Sequence, residues 1–208
     1  MMENVELKQF LINYRDEIRN SADTLLNQQM PMLTEELFSL FETTGNRLRY
    51  EDSYFARRKF LTILGLEAIL ENENYIGIHQ KLCETVESVC NEETWALPAH
   101  VDRKHNPNWR ITVDLFACET AQTLSELADR LYDVLPQKLI MKMTEEVLRR
   151  VLRPFFQSEV PYSWWEGSGM NWNGVCVGAI GSACIHLHNR GLNCRQISLP
   201  VWHVLTNP

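Results

Sequence analysis

The segment Trp164-Trp165-Glu166-Gly167-Ser168-Gly169-Met170-Asn171-Trp172-Asn173-Gly174-Val175-Cys176 places three tryptophans and two asparagines in a turn just before an apolar helix of small residues. Tryptophan is costly to keep in water and asparagine is a poor core residue, so the segment predicts a polar cleft with aromatic walls at a helix start. Such a cleft suits a sugar, because rings stack on its C–H face and amides bind its hydroxyl groups and carboxylate. Spacing alone equally allows an aromatic plug that closes a helical hairpin.

The composition is that of a globular domain with an acidic surface. The 208 residues are 45% hydrophobic and 23% charged, which is enough for one compact domain with its own core. The net charge of -7 argues against a general nucleic-acid binder, which would carry a basic face. A local group of arginines or histidines can still attract a polyanion.

The sequence carries no targeting or membrane signal. It has no run of about 18 apolar residues, so we expect no membrane span. The N-terminus lacks the basic start and apolar stretch of a signal peptide, which predicts a cytoplasmic protein, or an exported one if the natural N-terminus was replaced. Without a signal, free buried thiols are expected rather than disulfides. The six cysteines are Cys83, Cys90, Cys118, Cys176, Cys184 and Cys194.

Apolar residues recur at helical spacing along almost the whole chain, which predicts an all-α protein and one domain over 1–208. The predicted helices fall within 5–18, 33–41, 54–69, 75–89, 111–135, 136–153 and 171–188. A long loop is expected over 94–110, and a short strand over 196–204.

Glycine and proline mark several predicted helix ends and contacts. Gly45 is a plausible helix stop, Pro136 suits a first turn, and Pro154 predicts that the helix before it ends at about Arg153. The three glycines of the last helix predict close approach of a neighbouring backbone. These are Gly174, Gly178 and Gly181.

Three short motifs carry a family resemblance. They are the loop Glu92–His100, which contains Trp-x-Leu-Pro-Ala-His, the helix start Val113–Ala121, and the segment Asn171–Cys176. In this order and spacing the chain resembles the heparinase II/III-like polysaccharide lyases over about residues 45 to 190. The resemblance implies an incomplete (α/α) toroid of antiparallel helical hairpins, with a groove for an acidic polysaccharide or oligosaccharide.

The resemblance also implies β-elimination at a uronic acid. A base removes the proton on C5, an acid assists departure of the oxygen on C4, and an amide stabilises the developing charge. The resemblance assigns the amide to Asn171 as the catalytic residue, with Asn173 as a second choice. The predicted substrate-binding residues are Trp95, His100, Trp164, Trp165, Trp172 and Asn173. We expect no cofactor, no metal, no nucleic acid and no membrane as partners.

The chain departs from the family pattern in several places. Met170 stands where many relatives have the first of two asparagines, and Val177 precedes Gly178 where an Asn-Gly pair is usual. The family's catalytic tyrosine, about fifty residues beyond the asparagine, and its later histidine would lie past Pro208, as would the β-sandwich domains. We therefore expect a fragment, a truncated product or a reduced relative that is inactive or incomplete. Because an open arc of helices exposes apolar edges, we also expect a homo-oligomer.

Each candidate residue has an ordinary structural alternative. Asn171 is a good helix N-cap, the tryptophans suit a core, and His100 suits a surface. Glu119 is expected to hydrogen-bond to a neighbouring loop, and Cys176 to be an inert thiol.

Most of five arginines are expected to form a solvated helix face that pairs with Glu145 and Glu146. These are Arg57, Arg58, Arg149, Arg150 and Arg153. Two alternative functions are a noncatalytic carbohydrate-binding or scaffolding helical domain, and a six-hairpin-type glycoside hydrolase relative, which would need paired carboxylates.

Overall fold

The computed structural model describes residues 2–70, 76–157 and 163–191, and within these ranges the chain is helical without a strand. The helices are α1 (Met2–Leu26), α2 (Glu35–Thr44), α3 (Leu48–Leu70), α4 (Ile76–Cys90), α5 (Leu115–Arg130), α6 (Gln137–Val147), α7 (Arg153–Gln157) and α8 (Trp172–Asn189). The all-α prediction is confirmed. The strand predicted over 196–204 lies outside the described residues.

Two helix starts are fixed by capping side chains. The Thr34 hydroxyl accepts a hydrogen bond from the Leu37 amide at the start of α2, at 3.3 Å. Gly45 ends the same helix in the left-handed conformation, with φ 73°, as predicted. The helix predicted over 111–135 begins only after Asp114, whose carboxylate caps α5, so that prediction was too long at both ends.

The prediction that the sixth helix ends at Arg153, before Pro154, is wrong. α6 runs through a π-helical turn over Leu148–Leu152 directly into α7, which contains Pro154. Proline has no N–H group and its ring crowds the carbonyl four residues earlier, and the wider π turn relieves that crowding. Pro136 occupies the N-cap position of α6, one residue before the first turn.

The main core lies between α1, α3, α4, α5, α6 and α8, with the most extensive packing between α5 and α8. Its apolar side chains are almost completely buried, as at Leu64, Leu82, Leu124, Ile140, Val151 and Ile180. A smaller cluster joins α2 and α3 to the loop before α5, and it consists of Phe38, Tyr50, Tyr54, Leu97 and Trp109. Burial of these stripes is what stabilises the helices.

No described segment of backbone packs closely against the glycines of α8, so that prediction is wrong. A Cβ atom built on Gly174, Gly178 or Gly181 would have no neighbour within 4 Å among the residues that the structure describes. α8 buries Cys176, Ala179, Ile180, Ala183 and Leu187 instead. A tight contact occurs at a glycine of α3 instead, and it is with a side chain: a Cβ atom on Gly65 would lie 2.6 Å from Leu127 Cδ2.

The prediction of free, buried thiols is confirmed for Cys90, Cys118 and Cys176. Cys83 is a free thiol but is only half-buried, and Cys184 is also half-buried. Cys194 lies outside the described ranges. Within the described ranges, no helix is both long and apolar enough to cross a membrane.

Candidate functional site

The first two motifs are joined by the carboxylate of Asp114, which is completely buried. His100 Nδ1 donates a hydrogen bond to Asp114 Oδ2 at 2.7 Å, and the Leu97 amide donates to the same oxygen at 3.2 Å. The other oxygen caps α5 by accepting from the Ala117 amide at 2.7 Å. One side chain therefore ties the Trp-x-Leu-Pro-Ala-His loop to the start of the second-motif helix.

The third motif contacts the first two through aromatic rings. The Trp172 ring meets His100 edge-on, with centroids 5.0 Å apart, and Trp164 lies 4.8 Å from Trp172. On its other side the His100 ring is parallel to Phe116, with centroids 6.0 Å apart. We call His100, Asp114, Phe116, Trp164 and Trp172 the motif cluster. Segments that are far apart in the sequence thus meet in one place.

The hydrogen bond to Asp114 sets the orientation of the His100 ring. Because a carboxylate can only accept, Nδ1 carries the proton, and Nε2 is the acceptor nitrogen of the neutral ring. Among the residues described, Nε2 has no hydrogen-bond partner, and 13% of the side chain is exposed. This is the geometry of a histidine base held by a buried carboxylate.

The two asparagines of the third motif differ in availability. Asn171 is exposed, its backbone is helical, and its side chain does not cap α8, so the N-cap alternative is not observed. Asn173 Nδ2 donates to the Ser168 carbonyl and closes the preceding turn. Within the described part of the chain, Asn171 alone of the two has a carboxamide without a hydrogen-bond partner.

The tryptophans divide into exposed and core residues. Trp164 is 54% exposed and Trp172 is half-buried, so both can meet a ligand. Trp95 and Trp165 do not form the substrate platforms that were predicted for them, because both side chains are completely buried. Trp165 Nε1 donates to the Val113 carbonyl at 2.7 Å, and Trp95 Nε1 is similarly bonded within the core. Neither offers a ring face to a ligand.

Among the described residues Glu119 does not form the expected hydrogen bond with a neighbouring loop; Asp114 bonds to the loop at Leu97 and His100 instead. Glu119 is exposed beside a cavity of about 110 Å³ that Phe116 and Arg58 also line. Partial burial and the charge of Asp114 raise its pKa above the usual range.

Cys176 is buried, and its hydrogen bond with Cys118 is the main cause that raises the pKa of Cys118, consistent with an inert pair.

The prediction of a solvated arginine face is wrong for the arginines of α3. Arg57 is 5% exposed and Arg58 is mostly buried, and both donate to the carboxylate of Glu92 at 2.7 Å. Arg150 is also buried, but it pairs with Glu146 at 2.5 Å, and Arg149 pairs with the same carboxylate at 2.6 Å, so the expected pairing is present for both. Two features of the sequence could have indicated this burial. Glu92 begins the first motif, and the two arginines interrupt an apolar stripe.

Sequence reasoning also missed a cavity of about 390 Å³ between α2, α3 and the end of α4. It is lined in part by Leu33, Phe38, Tyr50, Arg57, Ser88 and Asn91. These residues are spread over three elements and form no local motif, so no spacing pattern could indicate them.

No family model matches the chain, and no curated protein matches it significantly. The resemblance to the heparinase II/III-like proteins therefore rests on the three motifs and their spacing. Within the ranges described, no three His, Cys, Asp or Glu side chains are grouped so that they could hold a metal ion.

Proposed function

We propose that the chain binds a uronic-acid polysaccharide at the motif cluster, as a domain related to the polysaccharide lyases. The observation that supports this is the convergence of the three motifs on His100, since a shared site would require it. An incomplete (α/α) toroid is the arrangement of hairpins that goes with this proposal.

The exposed groups have the chemistry that a uronate needs. Trp164 supplies a ring face for the C–H surface of a sugar. The Asn171 carboxamide, which has no partner among the residues described, can donate a hydrogen bond to the uronate carboxylate and stabilise charge that develops there. His100, oriented by Asp114, is the base that would remove the C5 proton.

A noncatalytic carbohydrate-binding domain is the second candidate, and the content of the motif cluster favours it. Elimination also needs a proton donor for the departing C4 oxygen, and the only acid in the cluster is the buried Asp114, which already holds His100. We therefore expect binding with little or no elimination by this chain.

Binding is tested by calorimetric titration with heparan sulfate, alginate and polygalacturonate. Trp164→Ala should lower the affinity for the polymer about tenfold, which corresponds to the loss of one sugar–ring contact. Phe10→Ala is the matched control, because Phe10 is an exposed aromatic residue on α1, at 63% exposure. The proposal fails if no uronate polymer binds or if the Phe10 variant weakens binding equally.

The ultraviolet absorbance of unsaturated uronate products separates the two candidates. Turnover that is lost in His100→Gln, with binding retained, would support the lyase. Binding that falls in Trp164→Ala but not in Asn171→Ala, without turnover, would support the noncatalytic domain. Equal loss of binding in both variants would leave Asn171 as part of a lyase-type carboxylate site.

A further inference from the structure

The cavity of about 390 Å³ shares no lining residue with the motif cluster. Its volume is that of a small-molecule site. One wall is apolar and includes Leu33 and Phe38, and the exposed Met32 also lines it. The other side carries polar groups from α3 and from the end of α4. A pocket with one apolar wall and a few convergent polar groups is the usual form of a ligand site.

The ion-pair network at the floor of the cavity has an excess of positive charge. Arg57 and Glu92 line the cavity, and Arg58, which lines the smaller cavity instead, shares the same Glu92 carboxylate. All three side chains are largely buried. Arg57 also donates to the Pro31 carbonyl and the Ser88 hydroxyl, each at 2.8 Å. A guanidinium has five N–H groups, so Arg57 retains donors beyond these three bonds.

The acidic residues near the mouth do not cancel this charge. Glu35 is paired with Arg103 at 2.6 Å, and Glu93 with Arg110 at 2.7 Å. The hydrogen bond from Arg103 is the main cause that lowers the pKa of Glu35. Both side chains are therefore charged, and their charges cancel. The unbalanced charge therefore stays at the buried end of the cavity.

Tyr50 adds an unused donor to the same cavity. It is 3% exposed, and its hydroxyl has no hydrogen-bond partner in the ranges that the structure describes. Its ring is held edge-on against Phe38, at 5.3 Å, and lies 6.2 Å from Tyr54. Tyr50 lines the cavity and its hydroxyl is not one of the sealed, unpaired polar atoms of the described residues, so it can donate a hydrogen bond to an acceptor that enters the cavity. Burial also raises the pKa of Tyr50, which keeps the phenol a donor at neutral pH.

We propose that this cavity binds a small monocarboxylate, whose oxygens accept hydrogen bonds from Tyr50 and Arg57 and whose apolar part packs against Phe38. A single negative charge balances the excess at Glu92, whereas a second would approach the carboxylates at the mouth. The proposal does not depend on the polysaccharide site, because the two sites share no residue.

The test is ligand-observed NMR and calorimetry with acetate, hexanoate, benzoate and glucuronate. Benzamide, the neutral analogue of benzoate with nearly the same shape, is the ligand control. We expect at least one monocarboxylate to bind, and Tyr50→Phe to weaken it about tenfold, as the loss of one hydrogen bond to a charged group implies. Tyr14→Phe, at an exposed position on α1, should leave binding unchanged.

Tyr50→Phe removes only the hydroxyl and retains the ring contacts, so the variant should fold, which thermal melting checks. Failure of all four carboxylates to bind overturns the proposal. Equal affinity for benzoate and benzamide, or equal effects of the Tyr50 and Tyr14 variants, also overturns it. Heparan sulfate binding, measured on the same samples, reports separately on the motif cluster.

Discussion

Replacing Asp114 tests whether one buried carboxylate joins the first two motifs. Asp114→Ala removes the cap of α5, the acceptor for the Leu97 amide and the partner of His100. Asp114→Asn is the sharper change. It retains one oxygen for the cap but places an N–H donor where Leu97 and His100 also donate. The two variants therefore separate the cap from the link to the loop.

The expected magnitudes follow from the individual bonds. Loss of an aspartate N-cap costs about 1 kcal/mol. A buried amide left without an acceptor, as at Leu97, costs about 2 kcal/mol more. Asp114→Ala should thus lower the free energy of unfolding by about 3 kcal/mol, or the melting temperature by about 10 °C for a chain of this size. Asp114→Asn should lose about 2 kcal/mol, since the cap is retained.

Urea unfolding followed by circular dichroism measures these differences, with the midpoint falling and the slope unchanged. Glu119→Ala is the control, because Glu119 is an exposed carboxylate on the same helix. We expect the order of stability to be Glu119→Ala, then Asp114→Asn, then Asp114→Ala. If Asp114→Ala loses no more than the Glu119 control, the carboxylate does not hold the motifs together.

Three further predictions concern the core and its charges. Trp165→Ala should cost about 4 kcal/mol because it empties a buried site, whereas Trp164→Ala should cost about 0.5 kcal/mol, as read from chemical unfolding. Gly178→Ala should raise stability by about 0.5 to 1 kcal/mol, whereas Gly65→Ala should lower it by about 1 to 3 kcal/mol through overpacking; a gain at both would contradict the packing. Burial opposes ionisation of Asp129, but hydrogen bonds from α8 and the residue after it outweigh this effect and lower its pKa below the usual range. Its contribution to stability is therefore present above the unfolded pKa and lost as the pH falls below about 4. Asp129→Asn should flatten the dependence of unfolding free energy on pH over that range, and an unchanged slope would refute it.

The helices could be predicted because the residues that they bury are apolar and recur at regular helical spacing in the sequence. An apolar stripe at helical spacing needs no partner to be recognised, and the stop at Gly45 needs only a residue suited to a positive φ. The start of α5 shows where local signals end. Asp114 is an N-cap, which accepts from the Ala117 amide three residues later, and the second motif marked this segment as a helix start. Its bond to the Leu97 amide joins residues 17 apart, and no local signal indicates it.

The candidate site was predictable in its segments but not in its side chains. The three motifs indicated where the chain would converge, yet they did not distinguish Trp164 from Trp165. The difference arises from Val113, whose carbonyl accepts from the Trp165 indole across 52 residues of sequence. In the same way, Glu92 draws Arg57 and its neighbour inward, because a buried carboxylate must be paired.

α3 connects the two proposed sites through consecutive arginines. Arg57 lines the larger cavity, Arg58 lines the smaller one beside the motif cluster, and both donate to Glu92. Removing Glu92 would leave two buried charges unpaired and disturb both places, so it cannot separate them. Trp164→Ala and Tyr50→Phe leave this network intact. If each variant weakens only its own ligand, the sites are independent. If either weakens both, the shared carboxylate couples them.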